Sequence, residues 1–264
     1  MFITKRFRKQ RGMGSCAAPI LAVAILSGCA GLSGNALEPK APAPSDYTAL
    51  ITATDRTEAD RKTDARRDPT KLLAVTGVRP GMRVLDMGTG GGYSTELMAR
   101  AVGPTGTVVG QDAPDSNERG RQNFAARAQG AAMKNVVRSL RPFADPLPPG
   151  TAPLDLITFF FTYHDTVHLG VDRAAMNRGM FAALKPGGAL VIADHHAKIG
   201  DGANVTRTLH RIEESVVRRE LEAAGFQFVG SVDFLRQPSD PREVRVFDMK
   251  TPVDEFVLKF VKPR

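Results

Sequence analysis

Two short clusters of titratable residues offer the side chains that most readily move protons. Tyr163-His164-Asp165 follows one apolar run of the sequence, and Asp194-His195-His196 follows another. A histidine has an ordinary pKa of about 6.5, so it can take up and release protons near neutral pH. We therefore predict that His164 acts as a general base, with Asp165 orienting it or binding substrate. An equally good interpretation of Asp165 is that it caps the next helical turn.

The same two clusters raise the alternative of a metal site, because two histidines and a carboxylate can bind a metal ion as a facial triad. The spacing of these residues does not distinguish such a site from an ordinary polar cluster, so we expect no metal. Two other histidines have plainer interpretations. His210 stands four residues before Glu214 on a predicted helix, as in a surface pair, and His168 has no special context.

A second feature with chemical meaning is the glycine segment, residues 88–92, in which an apolar run leads into Gly-Thr-Gly-Gly-Gly. Glycines let a backbone turn tightly and approach a ligand closely. Dinucleotide-binding segments need a small residue where this chain has the bulky Tyr93. In addition, Asp86 would repel a pyrophosphate, whereas it could accept hydrogen bonds from a ligand ammonium group. Both residues therefore argue against a nicotinamide-dependent dehydrogenase.

The rest of the sequence predicts alternating strands and helices that would carry these residues. The predicted strands cover residues 82–87, 107–112, 135–140, 154–161 and 189–194, with a closing pair at 226–233 and 255–262. The predicted helices cover residues 93–102, 116–129, 172–184 and 206–224, after a helical cap that spans residues 46–76 with Pro69 in a first turn.

This alternation indicates an α/β fold with a mostly parallel, seven-stranded sheet covered by helices on both faces. The run at 154–161 is almost continuously apolar, which is typical of a central strand buried on both faces. Because ligands bind beyond the carboxyl ends of the strands in such sheets, we expect the glycine segment and both histidine clusters to lie at one edge.

The chain resembles the class I S-adenosylmethionine-dependent methyltransferases in four segments and in their order along the sequence. These segments are residues 78–92, 108–112, 184–188 and 220–226. The resemblance covers roughly residues 68–263 and implies a Rossmann-like methyltransferase fold. It also implies that the first segment cradles the methionine part of the cofactor through these residues: Asp86, Gly88, Thr89, Gly90 and Gly92. The acid that matches Asp112 would hold the ribose hydroxyls. The adenine contacts stay unassigned, because Asp145 is displaced from the family's usual acid.

More narrowly, the chain resembles a group of exported bacterial predicted methyltransferases that share Tyr163-His164-Asp165 and Leu209-His210-Arg211-Ile212. The beginning of the chain agrees with export. Residues 1–28 contain five cations, no acid and an apolar run of eleven residues. That run is short of the about 20 residues that span a bilayer, so we predict a cleaved signal peptide.

The segment Leu26-Ser27-Gly28-Cys29 resembles a bacterial lipobox, which implies cleavage before Cys29 and a lipid on its thiol. The alternative is an ordinary signal peptide with an incidental cysteine. Residues 29–45 then form the lipidated cysteine and a flexible tether rich in proline, alanine, glycine and serine. Because Cys16 would leave with the signal, no disulfide and no thiol nucleophile would remain.

The composition fits a single catalytic domain over residues 46–264. The chain has 264 residues, with 36 Lys+Arg against 28 Asp+Glu and a formal net charge of +8. Five of those positive charges lie in the predicted signal peptide, so removing it leaves 8 − 5 = +3. We therefore expect no nucleic-acid partner. This length also excludes a small disulfide scaffold, which needs covalent staples because its core is too small.

The sequence therefore predicts a methyltransferase that uses S-adenosyl-L-methionine on an unidentified small-molecule acceptor. It would be exported and anchored to the membrane through Cys29, as a bacterial periplasmic lipoprotein of open oligomeric state. One physical objection is that S-adenosylmethionine is made inside the cell. The alternative of a different class is a non-catalytic lipoprotein that binds a nucleoside-like ligand in a pocket derived from a methyltransferase.

Overall fold

A twisted sheet with helices packed on its two faces makes up the part of the chain that the computed structural model describes, residues 47–151 and 153–264. The predicted signal peptide, the cysteine predicted to carry a lipid and the predicted tether lie outside the described residues. The strands are β1 (Arg83–Met87), β2 (Thr107–Asp112), β3 (Val136–Leu140), β4 (Leu154–Phe160), β5 (Leu184–His195), β6 (Gln227–Val232) and β7 (Glu255–Val261).

The strand order is β3-β2-β1-β4-β5-β7-β6. All neighbouring pairs are parallel except those of β7, which runs antiparallel to β5 and to β6. The predicted seven-stranded, mostly parallel sheet is therefore confirmed, and β4 lies at its centre as expected. The chain winds outward from β1 to β3 and then returns to place β4 beside β1, which makes the boundary between β1 and β4 the topological switch point.

The helices are α1 (Thr48–Ile51), α2 (Glu58–Arg67), α3 (Pro69–Thr76), α4 (Tyr93–Val102), α5 (Glu118–Arg127), α6 (Asp165–His168), α7 (Arg173–Ala183), α8 (Thr206–Leu209) and α9 (Glu214–Ala223). Pro69 is the first residue of α3, where its missing N–H costs no hydrogen bond. None of the helices in this part of the chain has the length and apolar character needed to cross a bilayer.

Two hydrophobic cores lie on opposite faces of the sheet because side chains alternate along each strand. Leu85 and Met87 of β1 belong to one core, which also contains Met180 of α7. Val84 faces the other core, where Leu97 of α4 is buried. With both faces covered, ligands can reach the sheet only at its edges and at the strand ends.

The predicted continuous helix over residues 206–224 is wrong. The structure has two helices, α8 and α9, separated by His210 in a left-handed conformation with φ of 53°. The next residue, Arg211, is fully buried, and Ile212 pairs with His196 beyond the end of β5. Both halves keep a helical spacing of apolar residues, so local periodicity does not reveal that tertiary contacts interrupt the helix.

Candidate functional site

A cavity of about 340 Å³ lies at the carboxyl ends of β1 and β2, close to the switch point. Its walls include these six residues from four parts of the chain: Gly88, Gly90, Asp112, Phe143, Asp165 and His168. Its volume falls within the about 300–1,000 Å³ that small-molecule sites usually have. We call it the switch-point cavity.

The glycine segment turns tightly to form one wall of the switch-point cavity. A Cβ atom on Gly88 would lie 2.7 Å from the Cβ of Thr162, so no larger residue fits against the end of β4. Gly90 has φ of 49°, and a Cβ built on it would meet no atom of the described residues within 4 Å. A side chain at Gly90 would therefore project into open space that a ligand can occupy.

The other two predicted residues of the segment support its shape. Thr89 is buried, and its backbone N–H donates to the Gln111 carbonyl at 3.0 Å, which ties the turn to the end of β2. Gly92 is the N-cap residue of α4 and packs toward Phe124, away from the switch-point cavity. The structure thus places Gly88 and Gly90 in the wall and Thr89 and Gly92 behind it.

Asp86 lies at the end of β1 with its carboxylate turned inward. Its Oδ2 accepts hydrogen bonds from the hydroxyls of Ser94 at 2.9 Å and Thr95 at 2.7 Å, and its Oδ1 accepts from Thr158 at 2.7 Å. Burial raises the pKa of Asp86, and these three hydroxyls act in the opposite direction. The expected position of Asp86 against a ligand ammonium therefore differs from the structure, in which its carboxylate joins β1, α4 and β4 beneath the glycine segment.

Asp112 ends β2 and lines the switch-point cavity, at the position that the sequence predicted. Its Oδ1 accepts a hydrogen bond from the Ala113 backbone N–H at 3.0 Å, and burial raises the pKa of its carboxyl. A carboxylate has acceptor sites for about four hydrogen bonds, so Asp112 keeps capacity for ligand hydroxyls. Nearby, Phe143 forms the apolar wall, whereas the carboxylate of Asp145 pairs with Arg141 at the surface.

A second, smaller cavity of about 130 Å³ lies on the other side of Asp165. Arg66 and Arg67 of α2 border it, together with Phe161 at the end of β4 and His195 at the end of β5. The Arg67 guanidinium lies over the Phe161 ring, 4.2 Å from its centroid. We call this space the cap cavity. Because Asp165 borders both spaces, it marks the point where molecules bound in the two cavities would meet.

His164 is buried between two carboxylates. Its Nδ1 lies 2.7 Å from Oδ1 of Asp194, and its Nε2 lies 3.0 Å from Oδ1 of Asp165. Burial opposes a charged imidazole, but the two carboxylates outweigh this effect and raise the pKa of His164 to about 10. The ring therefore holds its proton at neutral pH, so the predicted general base does not fit this environment. The prediction failed because it did not include Asp194, which lies 30 positions away along the chain and faces the ring only in the folded protein.

Asp165 occupies the first turn of α6, but it is not a helix cap. The N-cap position belongs to His164, and no side chain caps this helix. The Asp165 carboxylate is directed toward His164, and despite its burial the neighbouring histidines lower its pKa. Of the two interpretations of Asp165, the structure favours a charged group at the site over a helix cap.

His210 is the residue that the sequence interpretation placed wrongly. Its Nδ1 lies 3.3 Å from Nε2 of His164 and 3.3 Å from Oδ1 of Asp165. It therefore belongs to the site, and no surface pair with Glu214 along one helix exists because the helix is interrupted at this point. His168 is also near, with its Nε2 3.7 Å from Oδ1 of Asp165. The shared Leu209-His210-Arg211-Ile212 segment was the signal in the sequence that pointed to His210.

The remaining members of the two clusters have different environments. Tyr163 is fully buried, and its hydroxyl donates to Glu220 at 2.7 Å, so it joins helices and does not reach either cavity wall. His195 stacks on Phe161 with ring centroids 5.2 Å apart and borders the cap cavity. His196 packs edge-on against Phe256, and burial lowers its pKa.

Comparisons with known proteins are consistent with this geometry. A family model described as a methyltransferase domain matches residues 79–225. The chain is 34% identical over 123 residues to the ubiquinone/menaquinone biosynthesis C-methyltransferase UbiE of Ectopseudomonas mendocina, covering 46% of this chain and 45% of that protein. It is 33% identical over 117 residues to the protein-L-isoaspartate O-methyltransferase of Triticum aestivum, covering 44% and 46%. The chain thus spans about half the length of the curated relatives it matches.

A crystal structure of a SAM-dependent methyltransferase from Aquifex aeolicus superposes with a TM-score of 0.56, covering 84% of this chain and 99% of that chain. The sequence identity is 21%, so this likeness shows the fold alone. That fold is the predicted Rossmann-like arrangement of a seven-stranded, mostly parallel sheet.

Proposed function

Because the chain belongs to the methyltransferase-domain family, we propose that it transfers a methyl group from S-adenosylmethionine to a small-molecule acceptor. The observation that carries this proposal is the switch-point cavity, which the glycine segment and Asp112 border and which meets the cap cavity at Asp165. When bound, the cofactor supplies an electrophilic methyl group on a sulfonium.

The residues around the switch-point cavity fit this cofactor. The open space beside Gly90 accepts a ligand close to the backbone, and the carboxylate of Asp112 can accept hydrogen bonds from two ribose hydroxyls. Asp86 holds the glycine segment in place through three hydroxyl groups. Phe143 offers an apolar surface for the adenine, a contact that the sequence left unassigned.

The acceptor would occupy the cap cavity. Transfer to an oxygen, nitrogen or carbon nucleophile is an in-line displacement, for which positioning supplies much of the rate. The bond from the acceptor to the methyl carbon would form as the bond from that carbon to sulfur breaks, sulfur would keep the electron pair, and a proton lost by the acceptor would pass to the Asp165 carboxylate. Asp165 would hold the acceptor at the junction of the two cavities, and the protonated His164 would keep Asp165 charged and oriented. His164 is therefore a positioning residue in this proposal.

Calorimetric titration of the full-length protein tests the proposal with four ligands: S-adenosylmethionine, S-adenosylhomocysteine, NAD and adenosine. We expect the first two to bind and NAD not to bind. Binding of adenosine alone would support the alternative of a nucleoside-binding lipoprotein without methyl transfer. Binding of NAD alone would overturn both interpretations.

Replacing Asp112 by asparagine should weaken S-adenosylhomocysteine binding by about 10-fold to 100-fold, because hydrogen bonds to a charged group contribute about 1.5–3 kcal/mol. Calorimetry on the purified variant measures this change. The matched control is Asp145→Asn, whose carboxylate pairs with Arg141 outside the cavity and whose loss should leave the affinity unchanged. Equal affinities for Asp112→Asn and the natural protein would remove Asp112 from the site.

We also propose that the chain is exported and carries a lipid on Cys29, as the lipobox-like segment suggests. In a bacterial host grown with labelled palmitate, the natural protein should take up label and sediment with membranes. Cys29→Ser should lose both properties, whereas Cys16→Ser should keep them because that residue lies within the predicted signal peptide. Label retained by Cys29→Ser would contradict lipidation at this site.

A further inference from the structure

Three side-chain atoms at the junction of the two cavities form a compact triangle. Nε2 of His164 lies 3.0 Å from Oδ1 of Asp165 and 3.3 Å from Nδ1 of His210. The third side, from Nδ1 of His210 to Oδ1 of Asp165, is also 3.3 Å. The chain brings these atoms together from two separate segments, one after β4 and one between α8 and α9.

The triangle has the dimensions of one face of a metal coordination sphere. Bonds of about 2.0–2.2 Å from a transition metal to nitrogen and oxygen place neighbouring ligand atoms about 2.8–3.6 Å apart at octahedral or tetrahedral angles. We propose that His164, Asp165 and His210 bind one divalent transition-metal ion, of the class of Zn²⁺. The sequence offered a metal triad only as an alternative to an ordinary polar cluster, and His210 was not one of its members.

The surroundings of His164 support a ligand role. Histidines that bind metals commonly donate the N–H of the other ring nitrogen to a carboxylate, which fixes the ring and strengthens the ligand. Here Nδ1 of His164 lies 2.7 Å from Oδ1 of the fully buried Asp194. The other carboxylate oxygen accepts from the His164 backbone N–H at 2.9 Å. Asp194 thus fixes the ring so that Nε2 faces the triangle.

The charge at the site also suits a cation. Asp165 and Asp194 bring two carboxylates to one largely buried region, and buried charges in proteins are usually paired or coordinated to metals. On binding, the metal would displace the proton that His164 shares with Asp165, and this proton would leave to solvent. The ion would then hold Asp165 in place of the protonated ring. His168 lies next to the triangle, with its Nε2 3.7 Å from Oδ1 of Asp165, but it is not one of the three proposed ligands.

Three protein ligands leave positions open for a molecule in either cavity, as in catalytic metal sites. Resting on the proposed function, the ion would orient an acceptor that carries a hydroxyl, thiol or carboxylate group. Metal binding itself does not depend on that function. The cofactor is expected to lie on the other side of Asp165, beside Gly90 and Asp112.

Titration of the chelator-treated full-length protein with Co²⁺ tests the site, because bound cobalt gives visible absorption bands that report its ligands. We expect one ion per chain, and competition by Zn²⁺. Asp165→Asn and His210→Ala should each weaken binding by about 100-fold or more, since each removes a ligand, and Asp194→Asn by about 10-fold to 100-fold.

The matched control is Asp145→Asn, which removes a carboxylate that pairs with Arg141 outside both cavities, and this variant should bind Co²⁺ as the natural protein does. Thermal unfolding of each variant shows that it is folded. Absence of cobalt bands in the natural protein would overturn the site, and so would Co²⁺ affinities of Asp165→Asn and His210→Ala that equal the affinity of the natural protein. S-adenosylhomocysteine titration of the same samples separates the two proposals: a failed metal site leaves that binding intact, whereas a failed methyltransferase assignment does not affect cobalt binding.

Discussion

Replacing Gly90 by valine is expected to weaken S-adenosylhomocysteine binding by about 100-fold or more, a loss of about 2.7 kcal/mol in binding free energy. The physical reason is steric. A Cβ atom on Gly90 points into a region where no atom of the described chain lies within 4 Å, and this region belongs to the switch-point cavity. The valine side chain would fill the space that the cofactor needs. Calorimetric titration of the variant measures the change.

Gly103→Val provides the matched control for this experiment. Gly103 also has a positive φ, of 63°, and a Cβ built on it also meets no atom of the described residues within 4 Å. Gly103 lies at the C-terminal end of α4, whereas the glycine segment lies at the N-terminal end of the same helix. Both variants place valine at a positive φ, which costs about 1–3 kcal/mol, and Gly103, with its ψ of −171°, lies in a region that only glycine readily adopts, so Gly103→Val should lose at least as much stability as Gly90→Val. Only Gly90→Val should lose affinity, and unchanged binding in that variant would contradict the assignment of the cavity.

Replacing Arg211 by leucine is expected to reduce the free energy of unfolding by about 3–5 kcal/mol, because it leaves a buried carboxylate without its partner. Arg211 is fully buried, and its Nη1 donates to Oδ2 of Asp240 at 2.9 Å and to the His196 carbonyl at 3.1 Å. Its Nε donates to the Val244 carbonyl at 3.1 Å. Urea unfolding followed by circular dichroism measures the loss.

Arg207→Leu is the control, because Arg207 is exposed on α8 in the same segment and should change stability by less than about 0.5 kcal/mol. A double variant, Arg211→Leu with Asp240→Leu, should lose less than the sum of the two single variants, since it no longer buries an unpaired charge. If Arg211→Leu unfolds at the same urea concentration as Arg207→Leu, the buried ion pair between Arg211 and Asp240 does not stabilise the segment between α8 and α9. Loss of the Arg211 side chain should also displace the neighbouring residue, His210, from Asp165.

Local patterns in the sequence were sufficient to predict the sheet and part of the wall of the switch-point cavity. The continuous apolar run of β4 required burial on both faces, and this placed β4 at the centre. Glycine is needed at position 88 because a larger residue there would collide with Thr162. Glycine is needed at position 90 because a side chain there would fill the cavity. The position of Asp112 in the cavity wall follows from its place as the last residue of β2. Each of these features can be predicted from residues that are neighbours in the chain, although the contact of Gly88 with Thr162 is visible only in the structure.

The arrangement around His164 depended on contacts between distant segments, which only the tertiary structure decided. Asp194 faces His164 from 30 positions away, and together with Asp165 it raises the pKa of His164 to about 10 against the effect of burial, which replaces a predicted base by a protonated ring. Asp86 turns inward because Thr158 of the neighbouring strand donates to its carboxylate. Apolar spacing predicted one helix through His210, but the buried Arg211 is bonded to Asp240 and to the end of β5. The free energy of these long-range bonds exceeds the local helical preference, and this brings His210 to Asp165.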